Sequence, residues 1–392
     1  MPRAADPNPR LAAFFAVILV LTACVSARSL DPSLERRLGD LLLVGFHGTE
    51  VDGNAQVRHL VCDLRVGGVV LFERDAATQA PRNITSREQL GRLTGDLQAL
   101  ARGCAGRPLL IAVDSEGGAV MRLSPRVGYS PTLSAHELGT LGDLTVTELE
   151  ALRIARMLRE AGINWTLAPV VDVAVNPLNP VIVRRGRAFS LDPEVVTAHA
   201  RAYLQALRDA GLRTTLKHFP GHGSSWEDSH RGFVDVTETA SPEIELHPYR
   251  ELINHGFVDS VMTAHVVNRN LDPDYPATLS RPTIHGLLRD ALGFRGVVVS
   301  DDLMMRAITE EFGLEEAAVL ALGAGVDILL ISDARPGEDP GPADRAMAGI
   351  RNALARGMLS RSQIEAALAR IDRFRAGVGG FRGSRPVDHS SR

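Results

Sequence analysis

A short apolar, β-branched run followed by a longer segment of helical period recurs along this chain, and that alternation limits its fold more than any other feature. The runs are residues 41–46, 66–72, 109–114, 164–173, 214–219, 258–265, 296–301 and 326–332. Between several of them, at 147–161, 193–210, 284–292 and 314–324, apolar residues return at helical spacing and a glycine often closes the helix. Strands alternating with helices predict a parallel sheet. Eight such units without a long linker fit an α/β fold of the (β/α)8 TIM-barrel type better than an open doubly wound sheet, as one domain over residues 38–376. The stretch 377–392, rich in glycine and without apolar period, is expected to be a flexible tail.

Composition narrows the functional classes. With 43 lysines and arginines against 47 acids, the net charge of −4 forms no basic face or tail able to neutralise phosphates, which excludes nucleic acid as a partner. The N-terminus carries Arg3 and Arg10, an apolar run over 11–21 and then Leu21-Thr22-Ala23-Cys24. A basic region, a short apolar core and small residues before a cleavage point describe an export signal over 1–23, too short to span a membrane. Leu-Thr-Ala-Cys resembles the bacterial lipobox. That resemblance implies a lipidated Cys24, a tether over 24–37 and an exported, membrane-anchored protein facing the periplasm or the cell exterior. An ordinary cleaved signal that merely ends near Cys24 is the alternative. The two remaining cysteines, Cys62 and Cys104, leave two readings open, a disulfide or two buried free thiols.

Polar residues collect where the apolar runs end: Asp114, Asp172, Lys217 with His218, His265, Asp301 and Ser332. In a (β/α)8 barrel the downstream strand ends and the loops after them form one active-site face, so these groups are expected to converge. The densest segment is Lys217-His218-Phe219-Pro220-Gly221-His222-Gly223-Ser224-Ser225-Trp226-Glu227-Asp228-Ser229-His230. Lys217 and His218 can donate to sugar hydroxyls, and Asp228 with His230 can form a dyad in which the carboxylate orients the ring and raises its basicity. His222 reads as a loop-ordering residue. In Ser300-Asp301-Asp302, neighbouring strand residues face opposite sides, so one aspartate is available for chemistry while the other caps a helix or supports the site. Ala112-Val113-Asp114-Ser115-Glu116-Gly117-Gly118 ends a strand on an acid. Binding of sugar hydroxyls by Asp114 explains it more simply than a metal, for which ligands at suitable spacing are missing, so no cofactor or metal is expected. Of Arg184, Arg185 and Arg187, one is expected to clamp substrate and the others to be solvated.

The Lys-His-Phe-Pro-Gly-His-Gly…Asp-Ser-His, Asp-x-Glu-Gly-Gly and Ser-Asp-Asp-Leu-x-Met strings, over residues 38–333, resemble family 3 glycoside hydrolases of the β-N-acetylglucosaminidase branch. The resemblance implies a retaining exo-glycosidase that releases terminal β-linked N-acetylglucosamine from cell-wall or chitin-type glycans. It implies Asp301 as the nucleophile, His230 as general acid/base with Asp228 as its partner, and Asp114, Arg122, Arg187, Lys217 and His218 as substrate-binding residues. Two departures from many members are Ala119 in place of arginine and Ser224-Ser225 in place of Asp-Thr, and they bear on aglycone preference and loop motion. Phosphorolysis and β-glucosidase activity are the alternatives within the family. A sugar-binding lipoprotein without catalysis is the alternative outside it, though it would have no use for Asp301 together with Asp228 and His230.

Overall fold

The computed structural model of the chain describes residues 31–332 and 341–378. The expected export signal with Cys24, and the part of the expected tail beyond Val378, lie outside these residues. Ten strands are present among them: β1 Leu42–Val44, β2 Gly68–Leu71, β3 Leu110–Val113, β4 Ser115–Gly117, β5 Val120–Met121, β6 Trp165–Thr166, β7 Thr215–Phe219, β8 Ser260–Thr263, β9 Val297–Val299 and β10 Leu329–Ile331. Strands β4 and β5 form a small antiparallel hairpin. The other eight fall within the eight runs seen in the sequence.

Five strands pair in the order β10-β1-β2-β3-β6 and three in the order β7-β8-β9, and every pair among these eight strands is parallel. Parallel bridges join the two groups. Trp165 pairs with Arg213 and Val170 with Lys217 on one side, and Val299 pairs with Ile328 on the other. The bonds Thr166 N–H to Arg213 O at 2.8 Å and Ser300 N–H to Ile328 O at 2.9 Å carry these seams. The ring of eight strands is therefore closed, the (β/α)8 barrel the sequence predicts. The run 164–173 forms only a two-residue strand because Pro169 has no N–H to give the ladder; pairing resumes beyond it at Val170.

The surrounding helices begin and end as the chain dictates. In Pro193–Asp209 the Asp192 carboxylate accepts from Glu194 N–H and Pro193 occupies the first turn. Its buried face of Val196, Ala200, Tyr203, Leu204 and Leu207 follows the helical repeat onto the barrel. Arg87–Ala105 starts at Ser86, which accepts from Gln89 N–H, and stops at Gly106 in the left-handed region. Cys104 near its end is bonded to Cys62, closing a separation of 42 residues.

At the upstream strand ends, acids hold arginines. Asp40 is paired with Arg37, Arg107 and Arg375, Asp259 with Arg213, and Asp327 with Arg289 and Arg370. Arg370 and Arg375 belong to the last helix, Arg361–Ala376, which these pairs fasten across the barrel floor. One boundary differs from the sequence reading. Residues 31–37 do not act as tether: Pro32–Glu35 is helical, Leu34 is buried, and Asp31 and Arg37 pair with Arg361 and Asp372. Burial of Leu34 and these pairs to the last helix give that segment a docking site.

Candidate active site

Every residue singled out at a downstream strand end lies at one mouth of the barrel. Asp114 follows β3, and the β4–β5 hairpin folds back so that Arg122 N–H donates to Asp114 O at 3.1 Å and Arg122 Nη2 to Asp114 Oδ2 at 3.0 Å. Gly117 makes that return, with φ of +97° and a would-be Cβ 2.1 Å from Leu133 O, a place no other residue could occupy.

Lys217 and His218 are neighbours on β7, yet both face the site. The strand's register to β8 shifts between Leu216 and Phe219, and an irregularity of this kind re-aims side chains that alternation would separate. Lys217 Nζ lies 2.9 Å from Asp114 Oδ1 and 2.6 Å from Glu116 Oε1. Arg187 grips Glu116 with two bonds, Nε to Oε2 at 2.7 Å and Nη2 to Oε1 at 2.8 Å. Burial pushes the Asp114 carboxyl up, but Lys217 and Arg122 outweigh it and hold it well below the ordinary carboxylate range. Burial likewise opposes the charge of Lys217, and Asp114 with Glu116 overcomes it, leaving the ammonium more basic than usual.

His218 Nδ1 donates to Asp172 Oδ2 at 2.7 Å, and Arg187 Nη2 lies 3.3 Å from His218 Nε2. Asp172 Oδ1 also accepts from His222 N–H at 2.8 Å. His222 itself is buried between Ser225 Oγ and Ser229 Oγ, at 2.7 and 3.0 Å, and burial drives its pKa down to about 4, so it is a neutral strut of the loop.

Asp301 leaves β9 among the rings of His265, His218 and His230. Burial pushes its carboxyl up, the three imidazoles more than offset this, and the group is held ionised below its ordinary range. Asp302 points elsewhere: its Oδ1 accepts from Met304 N–H at 3.1 Å and Ser332 N–H at 3.0 Å, and its Oδ2 from the Ser332 hydroxyl. His265 is buried, bonded through Nε2 to Asp302 O at 2.9 Å, and its pKa is lowered by that burial.

On the loop above, Asp228 Oδ1 accepts from His230 Nδ1 at 2.7 Å and from His230 N–H at 3.0 Å. The His230 side chain is 61% exposed. The Asp228 bond raises its basicity, burial of part of the ring opposes this, and the charge of Asp301 adds to the rise. Asp228 is in turn lowered to about 2, chiefly by that same hydrogen bond. Beside the dyad opens a cleft of 740 Å³ in which Arg184, Arg185 and Arg231 alternate with Glu227, Asp228 and Glu310 around Trp226 and Phe233. Of Arg184, Arg185 and Arg187, Arg187 is the buried one, holding Glu116, whereas Arg184 and Arg185 line the cleft.

The structure brings together Asp114, Arg122, Arg187, Lys217, His218, Asp301, His230 and Asp228. Sequence reasoning underrated Glu116, weighed only as a metal ligand, and gave no role to Asp172 or His265. The signal for Asp172 and His265 was present, since both end apolar runs.

The profile of the glycosyl hydrolase family 3 N terminal domain matches residues 33–374. A beta-hexosaminidase of Xanthomonas campestris pv. campestris is 40% identical over 302 residues, covering 74% of this chain and 84% of that protein. A beta-hexosaminidase of Xylella fastidiosa is 40% identical over 299 residues, covering 74% and 83%. Among solved structures, a β-N-acetylhexosaminidase from Beutenbergia cavernae superposes with a TM-score of 0.78 at 31% identity, over 88% of this chain and 99% of that one. A glycoside hydrolase family 3 β-N-acetylglucosaminidase from Paenibacillus sp. does so with a TM-score of 0.80 at 35% identity; 92% of this chain is covered, which spans 65% of that longer chain.

Proposed function

The chain belongs to glycosyl hydrolase family 3, and from that premise we propose that it is a β-N-acetylhexosaminidase releasing terminal β-linked N-acetylglucosamine with retention of configuration. One observation carries the reading: an ionised Asp301 and a histidine made more basic by Asp228 and Asp301 share one mouth with a charged network suited to sugar hydroxyls.

Asp301 attacks the anomeric carbon as the bond to the leaving oxygen breaks, and the His230 imidazolium gives that oxygen its proton. Water then attacks the glycosyl-aspartate, neutral His230 takes the water proton, and Asp301 departs as carboxylate. Two inversions restore the β configuration. Histidine suits both steps because its ordinary pKa of roughly 6.5 lies near neutrality. Asp114, Lys217, Arg187, Arg122 and His218 present donors and acceptors for the sugar hydroxyls.

The cleft beside Asp228, in which three arginines are balanced by Glu227, Asp228 and Glu310, suits a polar aglycone, a glycan or glycopeptide chain of cell-wall or chitin type. A histidine acid/base repels phosphate less than a second carboxylate would, which favours one second reading, phosphate replacing water in the second step. Assaying hydrolysis of aryl β-N-acetylglucosaminide and aryl β-glucoside, with and without phosphate, tests both: the expected product is free N-acetylglucosamine, and accumulation of the sugar phosphate would establish the second reading.

The Leu21–Cys24 string supports export and a lipid anchor on Cys24. Expression of the full chain with Cys24→Ser should move the protein from the membrane to the soluble fraction, and an unchanged distribution would remove the anchor.

A further inference from the structure

The catalytic dyad rides on an excursion of the chain that leaves the barrel after Gly223 and returns to a helix at Pro242. The far limb of this excursion is pinned by backbone bonds of Val234 and Val236 with Val267, at 2.8 Å each. The near limb is held differently. Asn176 and Asn179 side chains bind the carbonyls of Ser225 and His222, but the N–H of Ser224 donates to a side chain, Glu245 Oε1, at 3.2 Å. The other oxygen, Oε2, accepts from Ser241 N–H at 2.9 Å. Ser224 and Ser241 are the two ends of the stretch that carries Asp228 and His230.

We propose that Glu245 is a positioning residue for the acid/base: one buried carboxylate clamps both ends of the catalytic loop and so fixes where His230 stands relative to Asp301. This rests on the role given to His230 above.

The bond to Ser241 alone would be ordinary capping of the helix Pro242–Glu245. The bond to Ser224 spans 21 residues and has no such use. Glu245 is 4% exposed; burial pushes its pKa up to about 7 with Asp172 adding to the rise, and the N–H of Ser241 with the hydroxyl and N–H of Ser224 oppose it. Space is made for it as well: a Cβ on Gly221 would lie 2.8 Å from both Cβ and Oε1 of Glu245. A carboxylate this deep, on a path kept clear by a glycine, costs more than a helix cap needs.

Glu245→Gln keeps the volume but offers one acceptor in place of two, setting an amide N–H against one of the backbone N–H donors. Glu245→Asp keeps the charge and is too short to reach both ends, and it serves if the first variant does not fold. Two measurements on the full chain decide. Hydrogen exchange read by mass spectrometry should quicken about tenfold across residues 222–233, with the barrel strands unchanged. The loss in kcat/KM should be about tenfold greater on alkyl glycosides than on activated aryl glycosides, because only the former need a placed acid. Unchanged exchange in the loop, or an equal loss on all leaving groups, overturns the clamp. If instead His230→Ala shows no dependence on leaving group, the reading of the acid fails, and loop exchange alone still decides whether Glu245 holds the loop.

Discussion

The N–H of Asp302 donates to Asp301 Oδ1 at 2.8 Å, while the carboxylate of Asp302 turns away to the N–H and hydroxyl of Ser332. Two adjacent acids thus have separate work: Asp301 faces the mouth, and Asp302 ties the exit of β9 to the exit of β10. Asp301→Ala should lower kcat on the order of 10⁴-fold or more while the thermal transition stays near that of the wild type. Asp302→Ala removes an acceptor of three hydrogen bonds and should lose about 1–3 kcal/mol of stability in urea unfolding. Near-normal activity in Asp301→Ala would refute the assignment.

Glu116 is shared by Lys217 and Arg187, all three being buried. Breaking a buried ion pair from one side leaves uncompensated charge, typically at a cost of about 3–5 kcal/mol. Glu116→Gln should therefore unfold at lower urea and raise KM, because Lys217 and Arg187 lose the acid that sets their separation. A stable variant with unchanged KM would show the pair to be incidental to binding.

If Asp301 is the nucleophile and His230 the acid, the first step needs Asp301 ionised and His230 protonated. Asp301 is held below the ordinary carboxylate value and His230 above the ordinary imidazole value, so kcat/KM should be flat between them and fall on the alkaline side as His230 loses its proton. Asp228→Asn removes the largest cause of the rise, and the alkaline limb should move to lower pH while the acid limb stays. An unmoved alkaline limb would mean that another group supplies it.

Cys62 and Cys104 close a separation of 42 residues, and cross-linking a loop of that length restricts the unfolded chain by about 4 kcal/mol in the chain-entropy account. Reduction, or Cys62→Ser with Cys104→Ser, should lower stability by up to that amount. Free thiols titrated in unreduced, denatured protein would contradict the bridge.

Much of this was legible in the sequence for one reason: a strand in a closed barrel is apolar along its length and becomes polar where it exits, so Asp114, Lys217, His218 and Asp301 marked themselves. Acids whose partners are distant did not. Asp40 and Asp327 resemble any loop acid until the last helix brings Arg375 and Arg370 to them. Glu245, in the run Pro242–Glu245, looks like a solvated first-turn acid, because its partner Ser224 is set by tertiary folding. Leu34 was likewise assigned to a tether since four residues of helix carry no readable period.

The last test concerns His230, which separates this mechanism from one using a second carboxylate. Its ring is open to solvent, and Asp228 is its one hydrogen-bond partner among the described residues. If it is the acid, His230→Ala should slow alkyl glycosides by about 10²–10⁴-fold and spare the first step for activated aryl glycosides, whose leaving groups need little protonation. Without a base for the second step, the glycosyl-aspartate should then accumulate and appear as a burst. Azide needs no general base, so adding it should speed breakdown and yield a β-glycosyl azide. Asp228→Ala should give a milder form of the same pattern, since the ring remains but loses its orientation. An equal loss on every leaving group, with no azide product, would make His230 a binding residue and send the search for the acid back to the other residues at the barrel mouth.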